Sequence, residues 1–329
     1  MDEIELSIII PCYNVSRPDL MKCLDSIDFI PRMMTCEVWV VDDGSRQDVV
    51  CGWIEELNKP WIHAIRQPNM GPGGARNTGI EHSRGRYITF LDADDYIFYG
   101  PYVHILRQLI DKQPGILCHG CSIRYEGSAI SFMMEHDICP SCCSYIIDRN
   151  VLGDLRFTPH IYHEDEEFCT RLHLRRGHLV TSLEQAYYYR FRQNSITHCP
   201  DIAHIRKRFR DFITVLGNLQ SEEVITPHDR ALNRRIDIMS MCYIVSLMSD
   251  TQNYALRQEA LADLRQLGLY PLRNRFSRGF RYWLISRLTC TPFLVQQLAA
   301  LFRFLLKEKK EDSQGRSFVV RNDRFTSSE

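Results

Sequence analysis

The feature that most constrains this chain is an alternation of short apolar runs with segments of helical period over its first 112 residues. The apolar runs are Leu6–Ile10, Glu37–Val41, Trp61–Ile65 and Tyr87–Leu91. β-Branched runs of this length, closed by polar or turn residues, are typical of buried strands. Because strands that alternate with helices form parallel sheets, the order predicts an α/β domain whose mostly parallel sheet is flanked by helices on both faces.

The rest of the chain has a mixed pattern followed by a helical one. The segments predicted after residue 112 are strands at Ile116–Arg124, Ala129–Met134 and Ala186–Phe191, and a helix at Asp165–Arg175. We predict three regions: an α/β domain at 1–200, a helical region at 201–306 and a charged, Ser-rich tail at 307–329. The tail has the composition of a disordered segment.

Charge is distributed unevenly between the two parts of the chain. Residues 1–200 carry 19 Lys/Arg against 27 Asp/Glu, whereas residues 201–329 carry 21 against 14. The acidic part suits a metal site, and the basic part suits phosphate or an anionic membrane. No apolar run reaches the roughly 18 residues of a membrane span. The acidic start does not resemble a signal peptide, and the 13 cysteines then favour reduced thiols in the cytoplasm.

Polar clusters follow three of the predicted strands directly. They are Pro11–Asn14, Asp42–Ser45 and Asp92–Asp95. Ligands of open parallel sheets bind outside the carboxyl ends of the strands, so we expect these loops to meet at one crevice. Aspartate oxygens are the ligands that Mg²⁺ and Mn²⁺ prefer, and the sequence therefore predicts a metal site at Asp92 and Asp94.

A glycine-rich segment, Asn69–Gly74, precedes a predicted helix that starts near Ala75 and carries Arg76. Backbone amides at such a helix start can approach a phosphate, but the glycines taken alone favour a plain tight turn. The spacing matches neither a phosphate-binding Walker loop nor a dinucleotide fingerprint.

Two further segments carry candidate functional residues in the second half of the predicted α/β domain. Asp165, beside Glu164, has the side chain of a general base, although an aspartate at a helix start is also a common N-cap. The segment Tyr188–His198 combines arginines, hydroxyls and an imidazole. Its arginines would suit a departing diphosphate, and the alternative is a solvated loop.

Taken in order, these motifs resemble those of family 2 glycosyltransferases, which have the GT-A fold. The motifs that carry the resemblance are SIIIPCYN from Ser7, VDDGS from Val41, NMGPGGARNTG from Asn69, FLDADD from Phe90, and Glu164-Asp165. The resemblance implies an inverting enzyme that moves a sugar from a nucleotide-sugar donor, usually a UDP-sugar, to a hydroxyl of a saccharide or lipid-linked acceptor. It also implies Mn²⁺ or Mg²⁺ as the cofactor.

The same resemblance implies a role for each matching residue. Asp165 would be the base with Glu164 beside it, Asp94 and Asp92 would bind the metal, and His198 would complete its shell. The implied donor-binding residues are Pro11, Tyr13, Asp43, Asn69, Arg76, Asp92, Asp95, Arg190, Arg192 and Ser195.

Four cysteines offer an alternative from another class of protein. Cys118, Cys121, Cys139 and Cys142 have the C-x2-C spacing of a structural zinc site, which would make the chain a nucleic-acid-binding or protein-binding module. That hypothesis leaves the three polar strand-end loops unexplained, and for the transferase no nucleic-acid partner is expected. A nucleotidyltransferase is disfavoured because Pro11–Asn14 replaces the basic glycine-rich signature of that class.

The helical region is basic towards its end. Residues 264–310 hold ten Lys/Arg and one acidic residue, interleaved with aromatic residues. Such a segment fits an anionic membrane surface, and it fits equally a helix packed on its own protein with the arginines outside.

Overall fold

The computed structural model describes residues 3–175, 177–190, 201–225, 230–251 and 253–300. These residues divide into two compact units, one before and one after the segment 191–200. The first unit contains the sheet, and the second is helical.

Within the described residues, ten strands and seven α-helices form the first unit. The strands are β1 Leu6–Cys12, β2 Cys36–Asp42, β3 Ile62–Arg66, β4 Tyr87–Phe90, β5 Tyr96–Ile97, β6 Ile116–Cys118, β7 Glu126–Ser128, β8 Tyr145–Asp148, β9 His178–Thr181 and β10 Tyr187–Tyr188. The helices are α1 Arg17–Ile27, α2 Val50–Leu57, α3 Gly71–His82, α4 Tyr99–Lys112, α5 Ala129–Glu135, α6 Arg149–Leu152 and α7 Glu164–Leu174.

The main sheet has eight strands in the order β3-β2-β1-β4-β8-β6-β9-β7. β3, β2, β1 and β4 are mutually parallel, with Ile8 of β1 facing Val38 and Thr89. β8 then enters antiparallel to β4, and β6 and β9 run again in the direction of the first four strands. The predicted α/β architecture with a mostly parallel sheet is therefore confirmed.

The sheet is covered on both faces, as the alternation of strands and helices predicts. Ile8 and Ile10 share a core with the buried sides of α1, α2 and α4. On the opposite face, a Cβ at Gly79 of α3 would lie 2.3 Å from the side chain of Ile9, so the missing side chain lets α3 lie directly against β1. Phe90 contacts Phe168 of α7 on that same face, at 5.8 Å between ring centroids.

Three predicted strands differ in the structure. Of the strand predicted at Ala186–Phe191, only Tyr187–Tyr188 is a strand among the described residues. β6 ends at Cys118 because the chain turns at Gly120, whose φ of +72° is a conformation that glycine adopts without strain. Residues 129–135 form the helix α5 and not a strand: Ala129, Phe132 and Met133 are its buried residues, with the i, i+3, i+4 spacing of a helix face.

The second unit consists of helices, which confirms the predicted helical region over its described residues. They are α8 Ile202–Ile225, α9 Arg230–Asp250, α10 Tyr254–Gln266 and α11 Phe280–Leu288, with a further helical segment at 292–300. Val215 and Leu216 of α8 are buried, as are Ile244 and Leu247 of α9. Among the helices that the structure describes, none is long and apolar enough to cross a bilayer.

Candidate active site

The loops after β1 and β2 are joined at the carboxyl edge of the sheet. The backbone N–H of Asp43 donates to the carbonyl of Cys12 at 2.8 Å, and the N–H of Asn14 donates to Ser45 Oγ at 2.9 Å. Asn14 adopts a left-handed φ of 50° and accepts from the N–H of Arg46 at 2.9 Å. The predicted convergence of these two loops is therefore present in the structure.

Asp43, a predicted donor-binding residue, is 2% exposed and organises the segment that leads into α3. Its Oδ1 accepts from Gln67 Nε2 at 2.7 Å and from the backbone N–H of Met70 at 2.8 Å. Asn69 Nδ2 donates to the Asp43 carbonyl at 2.9 Å. These hydrogen bonds fix Asp43 and Asn69 beside each other at this edge of the sheet.

Pro11 and Tyr13, two further predicted donor-binding residues, lie at the same edge. Pro11 is partly exposed near the end of β1. Tyr13 follows β1 directly, and 54% of its surface is exposed. An exposed aromatic ring beside the strand ends is accessible to a planar base.

The glycine-rich segment is helical and not a separate turn, because α3 begins at Gly71 instead of near Ala75. A Cβ at Gly73 would lie 2.9 Å from the carbonyl oxygen of Thr158 and 3.1 Å from Cγ of Glu164. The glycine therefore lets the segment before α7 lie against the first turn of α3. The local sequence predicts a phosphate contact or a tight turn here, and it carries no sign of this packing role.

Arg76 links two parts of the site that are distant in sequence. The residue is 5% exposed, and its Nη1 donates to Glu164 Oε1 at 2.6 Å while Nη2 donates to Asp92 Oδ1 at 2.8 Å. Its guanidinium lies 5.4 Å from the ring centroid of Phe157. Arg76 therefore ties the loop after β4 to the start of α7.

The three aspartates after β4 have different environments. The Asp92 side chain is 35% exposed, Asp94 is partly exposed, and Asp95 is 2% exposed. Asp95 accepts from the Tyr187 hydroxyl at 2.6 Å and from the backbone N–H of Arg190 at 2.8 Å. Tyr187 lies 92 residues away in the sequence, and no local pattern marks it as a partner of Asp95.

Burial, together with the negative charge of Asp92, raises the pKa of Asp95 to about 8, although its two hydrogen-bond donors oppose the shift. A raised folded-state pKa means that the folded protein binds the proton more tightly than the unfolded chain. The stabilisation is complete below the ordinary pKa of 3.8 and is lost as the pH rises through about 8.

We expect Asp95→Asn to remove this pH dependence. As the pH rises from 3.8 to about 8, the unfolding free energy of the variant should fall less than that of the wild type. The reason is that asparagine does not titrate. Urea unfolding across that interval measures the difference. Equal pH slopes for the two proteins would show that Asp95 titrates normally.

α7 begins at Glu164, and His163, in a left-handed conformation with φ of 65°, occupies the N-cap position. Asp165 is thus the second residue of the helix, and its interpretation as the N-cap is wrong. Its Oδ1 does accept from the backbone N–H of Glu166 at 2.9 Å. Burial and the neighbouring carboxylates of Glu164 and Glu166 hold the pKa of Asp165 well above its usual range, and Arg76 opposes the shift.

Of the predicted site residues in the segment Tyr188–His198, only Arg190 falls within the described part of the chain. Its guanidinium pairs with Asp19 of α1. Arg192, Ser195 and His198 lie outside the described residues, so their predicted roles stay predictions.

The four cysteines of the zinc hypothesis do not surround one centre. The Sγ atoms of Cys118 and Cys121 lie 3.4 Å apart, and Cys139 interacts with the same thiol of Cys118. Cys142 interacts instead with Cys143. Over the described ranges, no group of three or more His, Cys, Asp or Glu side chains is arranged to hold a metal ion.

Comparison with known proteins places this site in a family. Residues 7–169 match the family model described as glycosyl transferase family 2. The chain is 34% identical over 114 residues to glycosyltransferase GlyA of Streptococcus pneumoniae, a match that covers 34% of this chain and 16% of that protein. It is 24% identical over 210 residues to the minor teichoic acid biosynthesis protein GgaB of Bacillus subtilis, covering 58% of this chain and 23% of GgaB. The chain therefore spans only a minor part of these relatives.

Solved structures agree with the fold. S. aureus TarS, residues 1–349, superposes with a TM-score of 0.62 at 16% identity and covers 95% of this chain and 93% of TarS 1–349. The same TarS fragment has been solved with UDP and with UDP-GlcNAc. The matched family segment contains β1, β2, the carboxylates after β4, Arg76 and the start of α7. Through residues 7–169, this chain belongs to glycosyltransferase family 2.

Proposed function

We propose that this chain is an inverting glycosyltransferase that moves a sugar from a UDP-sugar to a hydroxyl group of a saccharide or lipid-linked acceptor. The observation that carries the proposal is the buried link Asp92–Arg76–Glu164, which brings the carboxylates after β4 next to the helix that presents Asp165. The UDP and UDP-GlcNAc complexes of the structurally similar TarS favour a UDP-sugar as the donor.

The residues after β4 fit a divalent metal that is shared with a diphosphate. Asp92 and Asp94 supply two carboxylates, which are the hard oxygen ligands that Mg²⁺ and Mn²⁺ prefer, and neither side chain is fully buried. Both ions usually keep waters and bind through few carboxylates plus substrate phosphates. When bound, the metal would neutralise charge on the departing diphosphate.

Asp165 is the proposed base. Its carboxylate would take the proton of the acceptor hydroxyl while that oxygen bonds to the anomeric carbon of the sugar. The bond from that carbon to the diphosphate breaks in the same step, and UDP leaves with the electron pair. Because only one displacement occurs, one base suffices and the anomeric configuration inverts. A raised pKa makes Asp165 a stronger base than an ordinary aspartate.

A thermal-shift screen of nucleotide sugars, with Mn²⁺ present and absent, tests the donor class directly. We expect UDP and at least one UDP-sugar to raise the melting temperature, and GDP- and CDP-linked compounds to leave it unchanged. Stabilisation by no UDP compound would remove the support for the proposed donor. A saccharide acceptor can then be sought by measuring UDP release from the donor that binds.

We expect Asp94→Asn to abolish the part of UDP binding that depends on metal. Removing a residue that hydrogen-bonds to a metal ligand typically lowers metal affinity by about tenfold or more. Removing a ligand itself should lower it further. Titration calorimetry of UDP with Mn²⁺ and with EDTA measures the change. Asp111→Asn, at an exposed position of α4, is the matched control and should bind as the wild type does. If Asp94→Asn retains the full response to Mn²⁺, Asp94 is not a ligand.

A further inference from the structure

The short helix α11 in the second unit presents two different faces. Tyr282 is 2% exposed and Ser286 is 3% exposed, and these two residues lie one turn apart on the side that faces the unit. The opposite side carries three apolar side chains in a row: Phe280 is 60% exposed, Leu284 38% and Leu288 42%. At i, i+4 and i+8, they form a single stripe along the outer face of the helix.

Arginines flank this stripe on both sides. Successive residues of a helix are rotated by about 100°, which places Arg281 on one flank of the stripe and Arg287 on the other. Both arginines are exposed. Arg287 also lies 6.0 Å from the ring centroid of Trp283, whose ring stacks with that of Phe280 at 5.8 Å.

The sequence around α11 also combines an exposed apolar side chain with positive charge. Phe293, beyond the end of α11, is 69% exposed. Residues 264–300 contain no Asp or Glu in the sequence. Arg275 and Arg278 of this stretch pair with Asp237 of α9, whereas the two arginines that flank the stripe are exposed. An apolar surface flanked by exposed arginines is complementary to a partner that has an apolar interior and an anionic surface.

We propose that this outer face of α11, formed by Phe280, Arg281, Leu284, Arg287 and Leu288, docks on the surface of an anionic phospholipid bilayer. The three apolar side chains would enter the boundary between headgroups and acyl chains, and the flanking arginines would reach the phosphates. Nucleic acid is a poorer match, because phosphate contacts would use the arginines and leave the central apolar stripe against water. This role is independent of the identity of the sugar donor. It makes the second unit the part of the chain that holds the enzyme at the membrane surface.

The full chain can be tested by co-sedimentation with vesicles. We expect it to bind vesicles of equimolar phosphatidylcholine and phosphatidylglycerol, to bind phosphatidylcholine alone much more weakly, and to be released by salt. Arg281→Gln should lower affinity for the anionic vesicles about fivefold. The control Arg265→Gln removes the same charge from an exposed position of α10 and should have a smaller effect.

The apolar stripe needs its own variant. Phe280→Ser combined with Leu284→Ser should lower vesicle affinity by at least about tenfold, because two exposed apolar side chains no longer enter the bilayer. Tyr254→Ser removes a 61% exposed aromatic from another helix of the same unit and should bind as the wild type does. An unchanged melting temperature and unchanged UDP binding would establish that the double variant is folded.

Three outcomes would overturn the proposal. The first is failure of the wild type to bind anionic vesicles, and the second is equal binding by the double serine variant. The third is a wild-type dimer, seen by light scattering, that the double variant dissociates; in that case a second copy of the chain covers the stripe.

Discussion

Replacing Asp165 with asparagine is expected to reduce sugar transfer by about a hundredfold or more while leaving UDP binding intact. Asparagine keeps the size of the side chain but cannot accept the proton of the acceptor hydroxyl, and positioned general bases contribute rate factors of roughly this size. UDP release in the presence of a saccharide acceptor measures turnover, and calorimetry of UDP binding measures the donor site. The two readouts separate loss of the base from loss of the site.

The matched control for this variant is Glu166→Gln. Glu166 is the next residue in the first turn of α7 and is also partly exposed, so its substitution removes a neighbouring charge without removing the proposed base. We expect the control to keep most of its activity. Full activity in Asp165→Asn, or an equal loss in both variants, would assign the proton transfer to another group.

The pH dependence of turnover provides an independent check on Asp165. The base must be deprotonated to act, so activity should fall as the pH falls through the pKa of Asp165. Because burial and the charges of Glu164 and Glu166 raise that pKa, the fall should occur above the range of an ordinary aspartate. In Asp165→Asn, this limb of the pH profile should be absent from the residual activity.

The first four strands could be predicted from the sequence because each is a continuous apolar run closed by a polar loop. β1 and β2 extend slightly past the predicted ends, through Cys12 and Asp42, since strand pairing continues into the residues of the site. Strand β8 was not predicted. Its residues, Tyr145–Asp148, are few and wholly buried, and the three-residue apolar run Tyr145–Ile147 does not distinguish a strand from a helix segment.

The site was predictable only in part, for a similar physical reason. Strand-end loops at one edge of a parallel sheet must converge, and Asp43 and Asp92 were identified on that ground. The partners of buried side chains follow from tertiary packing, which local spacing does not encode. Arg76 and Glu164, for example, are 88 residues apart, and the sequence gives no local sign that they pair.

Replacing Arg76, which pairs with Glu164, is expected to lower both the stability and the activity of the protein. Arg76→Met should lower the unfolding free energy by about 3 kcal/mol or more, because removing one partner of a buried ion pair leaves the other charge unpaired. The side chain of Glu164 is 8% exposed, whereas that of Asp92 is 35% exposed, so Glu164 should account for most of the loss. Arg84→Met, at an exposed position before β4, is the matched control and should unfold as the wild type does.

A double-mutant cycle would show whether the unpaired carboxylate is the cause. Glu164→Gln added to Arg76→Met removes the buried charge, and it should therefore recover part of the lost stability. Activity should not recover with it, because the loop of Asp92 and the helix of Asp165 would still lack the guanidinium that joins them. Arg76→Lys keeps the charge but has no planar fork to bridge two carboxylates, and we expect it to be more stable than Arg76→Met yet similarly slow. Wild-type turnover in Arg76→Lys would show instead that positive charge alone, and not the bridge between the two carboxylates, is what the site requires of this residue.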